Sequence, residues 1–182
     1  MDISELYAPF LGEIPPGARI LDAGSGSGRD SAFFLRKGYQ VLSIDASAEM
    51  VAATSRLTGQ PALRMRFDEV AFDVDFDGIW ACASLLHIAR PDLPATLARI
   101  VKALKPGGVL YVSFKYGPGE RREGARLFTN MDEASFDRLL ATQPELESLR
   151  VWVADDIRND RRGGLRWFHA LVRRRAPAAA DL

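Results

Sequence analysis

The run Leu21-Asp22-Ala23-Gly24-Ser25-Gly26-Ser27-Gly28 constrains this chain more than any other stretch. It follows the apolar residues Ala18, Ile20 and Leu21 and precedes a stretch of helical character from Ser31 to Lys37. A strand, a glycine-rich turn and a helix in that order make a ligand cradle. Glycines let the backbone turn sharply and let a ligand approach without meeting Cβ atoms. The helix start behind them offers unpaired N–H groups to a carboxylate or phosphate. A second signal lies where a nucleoside site needs one. The strand-like Tyr39-Gln40-Val41-Leu42-Ser43-Ile44 ends in Asp45, about twenty residues beyond the glycines, where a carboxylate can accept hydrogen bonds from both hydroxyls of a ribose.

Bulk composition narrows the class. A length of 182 residues suits one domain with a sizeable core. The 24 Lys and Arg balance the 24 Asp and Glu, which argues against a global nucleic-acid-binding surface. The one cysteine, Cys82, excludes an internal disulfide and any Cys-rich metal site, and it fits a reducing cytoplasm. No apolar run approaches the roughly 20 residues of a membrane-spanning helix. The opening Met-Asp-Ile-Ser-Glu lacks the basic-then-apolar pattern of a signal peptide.

Along the chain, helical and strand-like segments alternate. Residues 2–11 read as a short helix with Ile3, Leu6, Tyr7 and Phe10 on one face, and Pro15-Pro16-Gly17 breaks it off. Strand 19–22, helix 28–37, strand 39–44, helix 47–58, a weak strand 62–66, strand 77–83, helix 91–104 and strand 109–115 follow. Gly38 and Ser47 suit helix caps. This order implies right-handed crossovers and a parallel sheet. Residues 116–130, with Gly117, Pro118 and Gly119, read as a mobile loop, and helix 132–141 comes next with Asp132 as its cap. Segments 146–153 and 165–173 read as strands with no helix between them, hence an antiparallel hairpin on the sheet edge. The expectation is a single domain over residues 1–175, with 176–182 a disordered tail.

Together these features resemble the class I S-adenosylmethionine-dependent methyltransferases over about residues 18–173. Four pieces carry the likeness: Asp22-Ala23-Gly24-Ser25-Gly26-Ser27-Gly28; the strand-terminal Asp45; Phe76-Asp77-Gly78-Ile79-Trp80-Ala81 running into Ser84-Leu85-Leu86-His87; and Leu104-Lys105-Pro106-Gly107-Gly108. The Gly28-Arg29-Asp30 sequence and the compact length are similar to bacterial small-molecule enzymes of the tellurite-resistance and thiopurine type. The resemblance implies an α/β, Rossmann-like fold: a seven-stranded, mostly parallel sheet flanked by helices, with an antiparallel C-terminal hairpin. It implies methyl transfer from S-adenosylmethionine, with S-adenosylhomocysteine as product and no metal, to a small-molecule O, N or S acceptor.

The same resemblance distributes the site. The turn of Gly24, Ser25, Gly26 and Gly28 holds the methionine part of the donor, Asp22 orients its ammonium and Arg29 meets its carboxylate. Asp45 holds the ribose, Ala46 and Met50 pack on the ribose or adenine, and Arg66, Phe67 and Asp68 lie at the adenine. Ala81 to Leu86, Leu85 among them, line the floor near the sulfonium. The residues themselves leave alternatives open. Gly28 serves ligand approach or close packing of helix on strand. Asp22 or Asp45 caps a turn or helix, Arg29 is a solvated helix residue, and Met50 and Phe67 are core.

Alignment of nucleophile, carbon and sulfur supplies much of the rate in such a transfer, and a general base is required only for a protonated nucleophile. His87, just past the fourth strand, is the base candidate, with a packing role as the alternative. His169 reads as structural and Cys82 as a buried, inert thiol. Tyr7, Lys115, Tyr116 and Arg126 stand near where an acceptor would enter. The segment after the fourth strand lacks the Asn/Asp-Pro-Pro-aromatic pattern of amide and adenine methylation, and no Asp cluster follows it, against a metal-dependent catechol type. Seven Arg against three Asp over 151–175, without interleaved aromatics, set an RNA acceptor behind a small molecule. A nicotinamide dehydrogenase needs Gly-x-Gly-x-x-Gly, and the final position falls on Arg29 or Ser31. A non-catalytic donor-binding module is the remaining rival. The oligomeric expectation is a monomer or homodimer, in the cytoplasm and without membrane contact.

Overall fold

A computed structural model describes residues 4–156 and 164–176. Its first half is built of α1 (Ser4–Leu11), β1 (Arg19–Ala23), α2 (Arg29–Arg36), β2 (Gln40–Asp45), α3 (Ala48–Thr58) and β3 (Ala62–Arg64). The second half comprises β4 (Phe76–Ala81), α4 (Leu93–Lys102), β5 (Leu104–Lys115), β6 (Glu120–Glu123), β7 (Arg126–Thr129), α5 (Glu133–Leu140), β8 (Leu146–Asp155) and β9 (Arg166–Arg174). Seven strands form one sheet in the order β3-β2-β1-β4-β5-β9-β8. The first five pair in parallel, while β9 runs antiparallel to β5 and β8 antiparallel to β9. This is the expected Rossmann-like architecture, with the reversed hairpin at the β5 side.

Alternation along each buried strand feeds two cores. On one face Leu21, Ile79, Leu110, Val112 and Phe168 pack with Ile100 of α4 and Phe136 of α5. On the other, Ile20, Trp80, Val109, Tyr111 and Leu171 pack with Tyr7 and Phe10 of α1 and Phe34 of α2. That second face is aromatic. Trp80 and Tyr111, opposite each other on β4 and β5, stack with centroids 3.8 Å apart, and Tyr7 stacks on Phe33 at 3.8 Å. Such pairs are worth about 0.5–1.5 kcal/mol each beyond buried area, so α1 is held by ring packing rather than by chain length.

Several expectations are corrected. Residues 116–130 are not an unstructured loop: β6 and β7 pair through a two-residue Gly124-Ala125 turn, the hairpin geometry that favours glycine. Contacts from Ile88 and Arg90 tether it. The Arg90 backbone N–H donates to Glu120 Oε1 at 2.6 Å, Arg90 Nη2 to the Asn130 carbonyl at 2.9 Å, and Thr129 Oγ1 to the Ile88 carbonyl at 2.6 Å. The helix expected over 91–104 begins at Leu93, because Pro91 sits in a preceding 3-10 turn, Arg90–Asp92. Strand pairing resumes at Leu104, opposite Phe76, so β5 already includes the Lys-Pro-Gly-Gly turn. The third strand stops at Arg64. Ser47 and Asp132 cap their helices, accepting from the Met50 and Ser135 N–H groups. Ile3, residues 157–163 of the polar connection, and all of the tail expected to be disordered except Ala176 lie outside the described residues.

Candidate functional site

The carboxyl ends of β1, β2 and β4 open onto a cavity of about 980 Å3, within the range of small-molecule and cofactor sites. Its near wall is the turn after β1. Gly24 and Gly26 line it, both with positive φ (+84° and +55°). A Cβ on Gly26 would meet nothing within 4 Å, so the space beside that backbone belongs to the cavity. Gly28 differs: its Cβ would stand 2.8 Å from the Thr54 Cα of α3. At Gly28 the structure therefore shows close helix packing.

Asp45 ends β2 with its carboxylate in the cavity wall. Oδ2 accepts from the Gly26 N–H at 2.9 Å and Oδ1 from the Ser47 N–H at 2.8 Å. One side chain thus ties the glycine turn to the start of α3. Ala46 lies beside it. The opposite wall is the 3-10 turn Phe67–Glu69 with Arg66, which pairs in bidentate fashion with Asp68 at 2.9 and 3.1 Å. Ser84 closes the floor and donates to the Ala23 carbonyl at 2.7 Å.

His87 lies on the far rim, in the cavity lining. Its Nδ1 donates to the Leu127 carbonyl of the hairpin at 2.8 Å. A carbonyl only accepts, so this bond puts the neutral ring's proton on Nδ1 and leaves Nε2 as an acceptor. Phe128 packs edge-on against the ring at 5.0 Å.

The remaining residues expected at the site lie elsewhere. Asp22 is 2 % exposed beneath the turn, where Ser31 Oγ donates to it at 2.5 Å. Burial and the nearby Asp30 charge push its carboxyl up to about 7, against the hydrogen bonds from Ser31. Arg29 begins α2 and pairs with Asp30 rather than lining the cavity. Ser25 turns to Thr54, at 3.3 Å between hydroxyls. Ala81 and Leu85 are in the core, and Met50 is half-buried on α3, outside the cavity lining. His169 is buried and bonded to the Tyr111 hydroxyl at 2.7 Å, its pKa lowered to about 4 by burial. Burial and the Asp30 charge push the Cys82 thiol up to about 12.

The sequence reading missed the α4 wall. Asp92, Ala95, Thr96 and Arg99 line the cavity together with Arg64, Ile88 and Leu127. Ala95, Thr96 and Arg99 are spaced to share one face of α4, with Asp92 in the 3-10 turn just before it, which was a usable signal.

The donor implied by resemblance fits this arrangement. The open space at Gly26, a carboxylate at Asp45 and an aromatic ring at Phe67 share one cavity, as a nucleoside with a short polar chain requires. Among the described residues, no group of three or more His, Cys, Asp and Glu could hold a metal ion.

Comparison with known proteins agrees with the geometry. The family described as "Methyltransferase domain" matches residues 20–108. A trans-aconitate 2-methyltransferase of Deinococcus radiodurans is 32% identical over 138 residues, covering 73% of this chain and 46% of its own. The solved structure of the Burkholderia thailandensis 1,6-didemethyltoxoflavin-N1-methyltransferase, which contains its substrate and S-adenosylhomocysteine, superposes with a TM-score of 0.77 at 26% identity, covering 94% of this chain and 76% of that one. A TehB-like methyltransferase from Corynebacterium glutamicum shares the fold at a TM-score of 0.71 and 20% identity, covering 96% of this chain and 89% of that one. The chain carries the methyltransferase domain over residues 20–108 and has the fold of the class I S-adenosylmethionine-dependent methyltransferases. It spans less than half the length of the first curated relatives it matches.

Proposed function

We propose that this protein transfers a methyl group from S-adenosylmethionine to a small-molecule acceptor. The observation that carries this reading is the single cavity joining Gly24 and Gly26, Asp45, and the Phe67–Asp68 turn at the carboxyl edge of the sheet. Bound there, the donor would supply an electrophilic methyl on sulfur. Asp45 accepts from the ribose hydroxyls, Phe67 packs on the adenine and Asp68 accepts from its amino group, while the open space at Gly26 lets the thioether chain pass over the turn. Arg29 meets the donor's carboxylate from the start of α2, while Asp22, buried beneath the turn and bonded to Ser31, supports the turn without touching the donor. His87, with Nε2 free to accept, takes the proton of an acceptor that carries one.

Small-molecule acceptors in the names of the aconitate and toxoflavin relatives support the acceptor class. The hairpin β6–β7 supports it too, since its Leu127 lines the cavity beside His87. The same reading takes residues 1–175 as one domain, in the cytoplasm, as a monomer or homodimer. Among the described residues no helix is long and apolar enough to cross a membrane. Calorimetry with S-adenosylmethionine and S-adenosylhomocysteine tests the donor, and label transfer from S-adenosylmethionine to a panel of carboxylate, hydroxyl, thiol and heterocyclic acceptors tests the activity. Saturable binding without transfer to any acceptor would favour a donor-binding module; no binding overturns the reading.

A further inference from the structure

Asp30 receives more donors than any other side chain on the aromatic face. Its Oδ1 accepts from Tyr7 Oη at 2.7 Å and Arg29 Nε at 2.6 Å; its Oδ2 accepts from Trp80 Nε1 at 2.8 Å and Arg29 Nη2 at 3.2 Å. The carboxylate is 7 % exposed, among stacked rings. A buried charge needs a partner there, and its ion-pair partner is Arg29, whose side chain is half exposed. Burial, then the Asp30 charge, raises the Tyr7 phenol, so it remains a protonated donor. Three elements thus converge on one carboxylate: α1 through Tyr7, β4 through Trp80, and the first residue of α2 through Arg29.

Holding α1 to the sheet does not require this much. Tyr7 and Phe10 already stack and pack against Phe33, Phe34 and Trp80. The four hydrogen bonds do fix the direction of the guanidinium. Two of its nitrogens lie against Asp30, so it cannot swing, and its outer edge faces solvent only three residues beyond Gly26. An arginine pinned on one edge by a carboxylate presents a rigid fork on the other.

We infer that Tyr7 and Trp80 are positioning residues, acting through Asp30, that aim Arg29 at the carboxylate of the donor's amino-acid end. The inference rests on the donor assignment above and assigns to α1 a part in donor affinity. Immobilising the arginine beforehand lowers the ordering cost of binding.

The test compares S-adenosylhomocysteine with 5′-methylthioadenosine, which shares the nucleoside and thioether but lacks the amino-acid end. Calorimetry is run on wild type, Tyr7→Phe, Asp30→Asn and Arg29→Ala, with thermal melts for folding. Wild type should prefer S-adenosylhomocysteine by at least about tenfold. Arg29→Ala should lose about tenfold or more for that ligand and leave 5′-methylthioadenosine unchanged. Tyr7→Phe and Asp30→Asn should show the same one-sided loss, about threefold to tenfold. If Asp30→Asn does not fold, Tyr7→Phe, which keeps the ring stack, decides. A preference unchanged in Tyr7→Phe, or equal losses for both ligands, would overturn the inference while leaving the donor assignment intact. Wild type binding neither ligand overturns the donor assignment and the inference with it.

Discussion

Alanine at Gly26 and alanine at Gly28 should do opposite things, although the two positions are two residues apart in one turn. Both residues have positive φ, +55° and +87°, which costs an L-residue about 1–2 kcal/mol. Loss of unfolded-chain entropy returns roughly 0.4–1 kcal/mol of that. At Gly26 nothing else opposes the methyl, so the net destabilisation is about 1 kcal/mol, or about 2–4 °C in a protein of this size. At Gly28 the new Cβ would stand 2.8 Å from the Thr54 Cα and 3.0 Å from its Oγ1. Thr54 cannot yield freely, because Oγ1 donates to the Gly26 carbonyl at 2.8 Å. Overpacking adds about 1–3 kcal/mol, for a melting loss on the order of 5–15 °C. The ligand ranks them the other way. The Gly26 methyl would occupy the cavity where the donor chain must pass, with an expected affinity loss of at least about tenfold. Thermal melts with and without S-adenosylhomocysteine separate the two effects. At a ligand concentration of about 100 times the wild-type Kd, binding adds about 2.7 kcal/mol to wild type and, after a tenfold loss, about 1.4 kcal/mol to Gly26→Ala. Wild-type ligand stabilisation in Gly26→Ala, or a wild-type melting temperature in Gly28→Ala, would refute this reasoning.

Asp45→Ala should weaken S-adenosylhomocysteine about 100-fold by calorimetry, since a charge-assisted hydrogen bond carries about 1.5–3 kcal/mol; it should also lower the melting temperature, because the Gly26 and Ser47 N–H groups lose their acceptor. Asp22 gives a pH prediction. Its carboxyl is raised from 3.8 to about 7, so the folded state holds the proton more tightly, and stability from this group falls as pH rises through that window and levels off above it. The total is at most about 4 kcal/mol. Urea melts of wild type and Asp22→Asn should diverge between pH 4 and 7, and parallel profiles would remove the effect. His87→Ala, once an acceptor is known, should lower kcat about 10²-fold or more; an unchanged rate removes His87 as the base.

What was legible in the sequence was whatever depends on local order. Strand, glycine turn and helix at residues 19–36, Asp45 at a strand end, and the two strand-like segments near 146–155 and 166–174 each announce themselves within a few neighbours, and together they define the sheet. Side-chain direction was not legible in the same way. Asp22 and Asp45 both lie at strand ends, before or at the turn, yet one points beneath the glycine turn to Ser31 and the other into the cavity. Gly26 and Gly28 look alike in sequence and differ only through Thr54, which approaches from another helix. The hairpin over 120–129 escaped for the same reason. Its Glu and Arg residues have the composition of a solvated loop, and the hairpin is tethered because Arg90 and Ile88, well before it in the chain, bond to Glu120, Thr129 and the Asn130 carbonyl.

That last contact has a mechanical consequence. The segment from Ser84 to Arg90 holds the cavity floor at one end and the hairpin at the other, with His87 bonded to Leu127 between them. Any motion of β6–β7 therefore moves the His87 ring and the Leu127 wall together. On the proposed reading, in which His87 takes the acceptor's proton, the hairpin whose Leu127 lines the cavity also sets the tautomer of the base. Substitutions in the Gly124-Ala125 turn should then alter kcat and acceptor preference together.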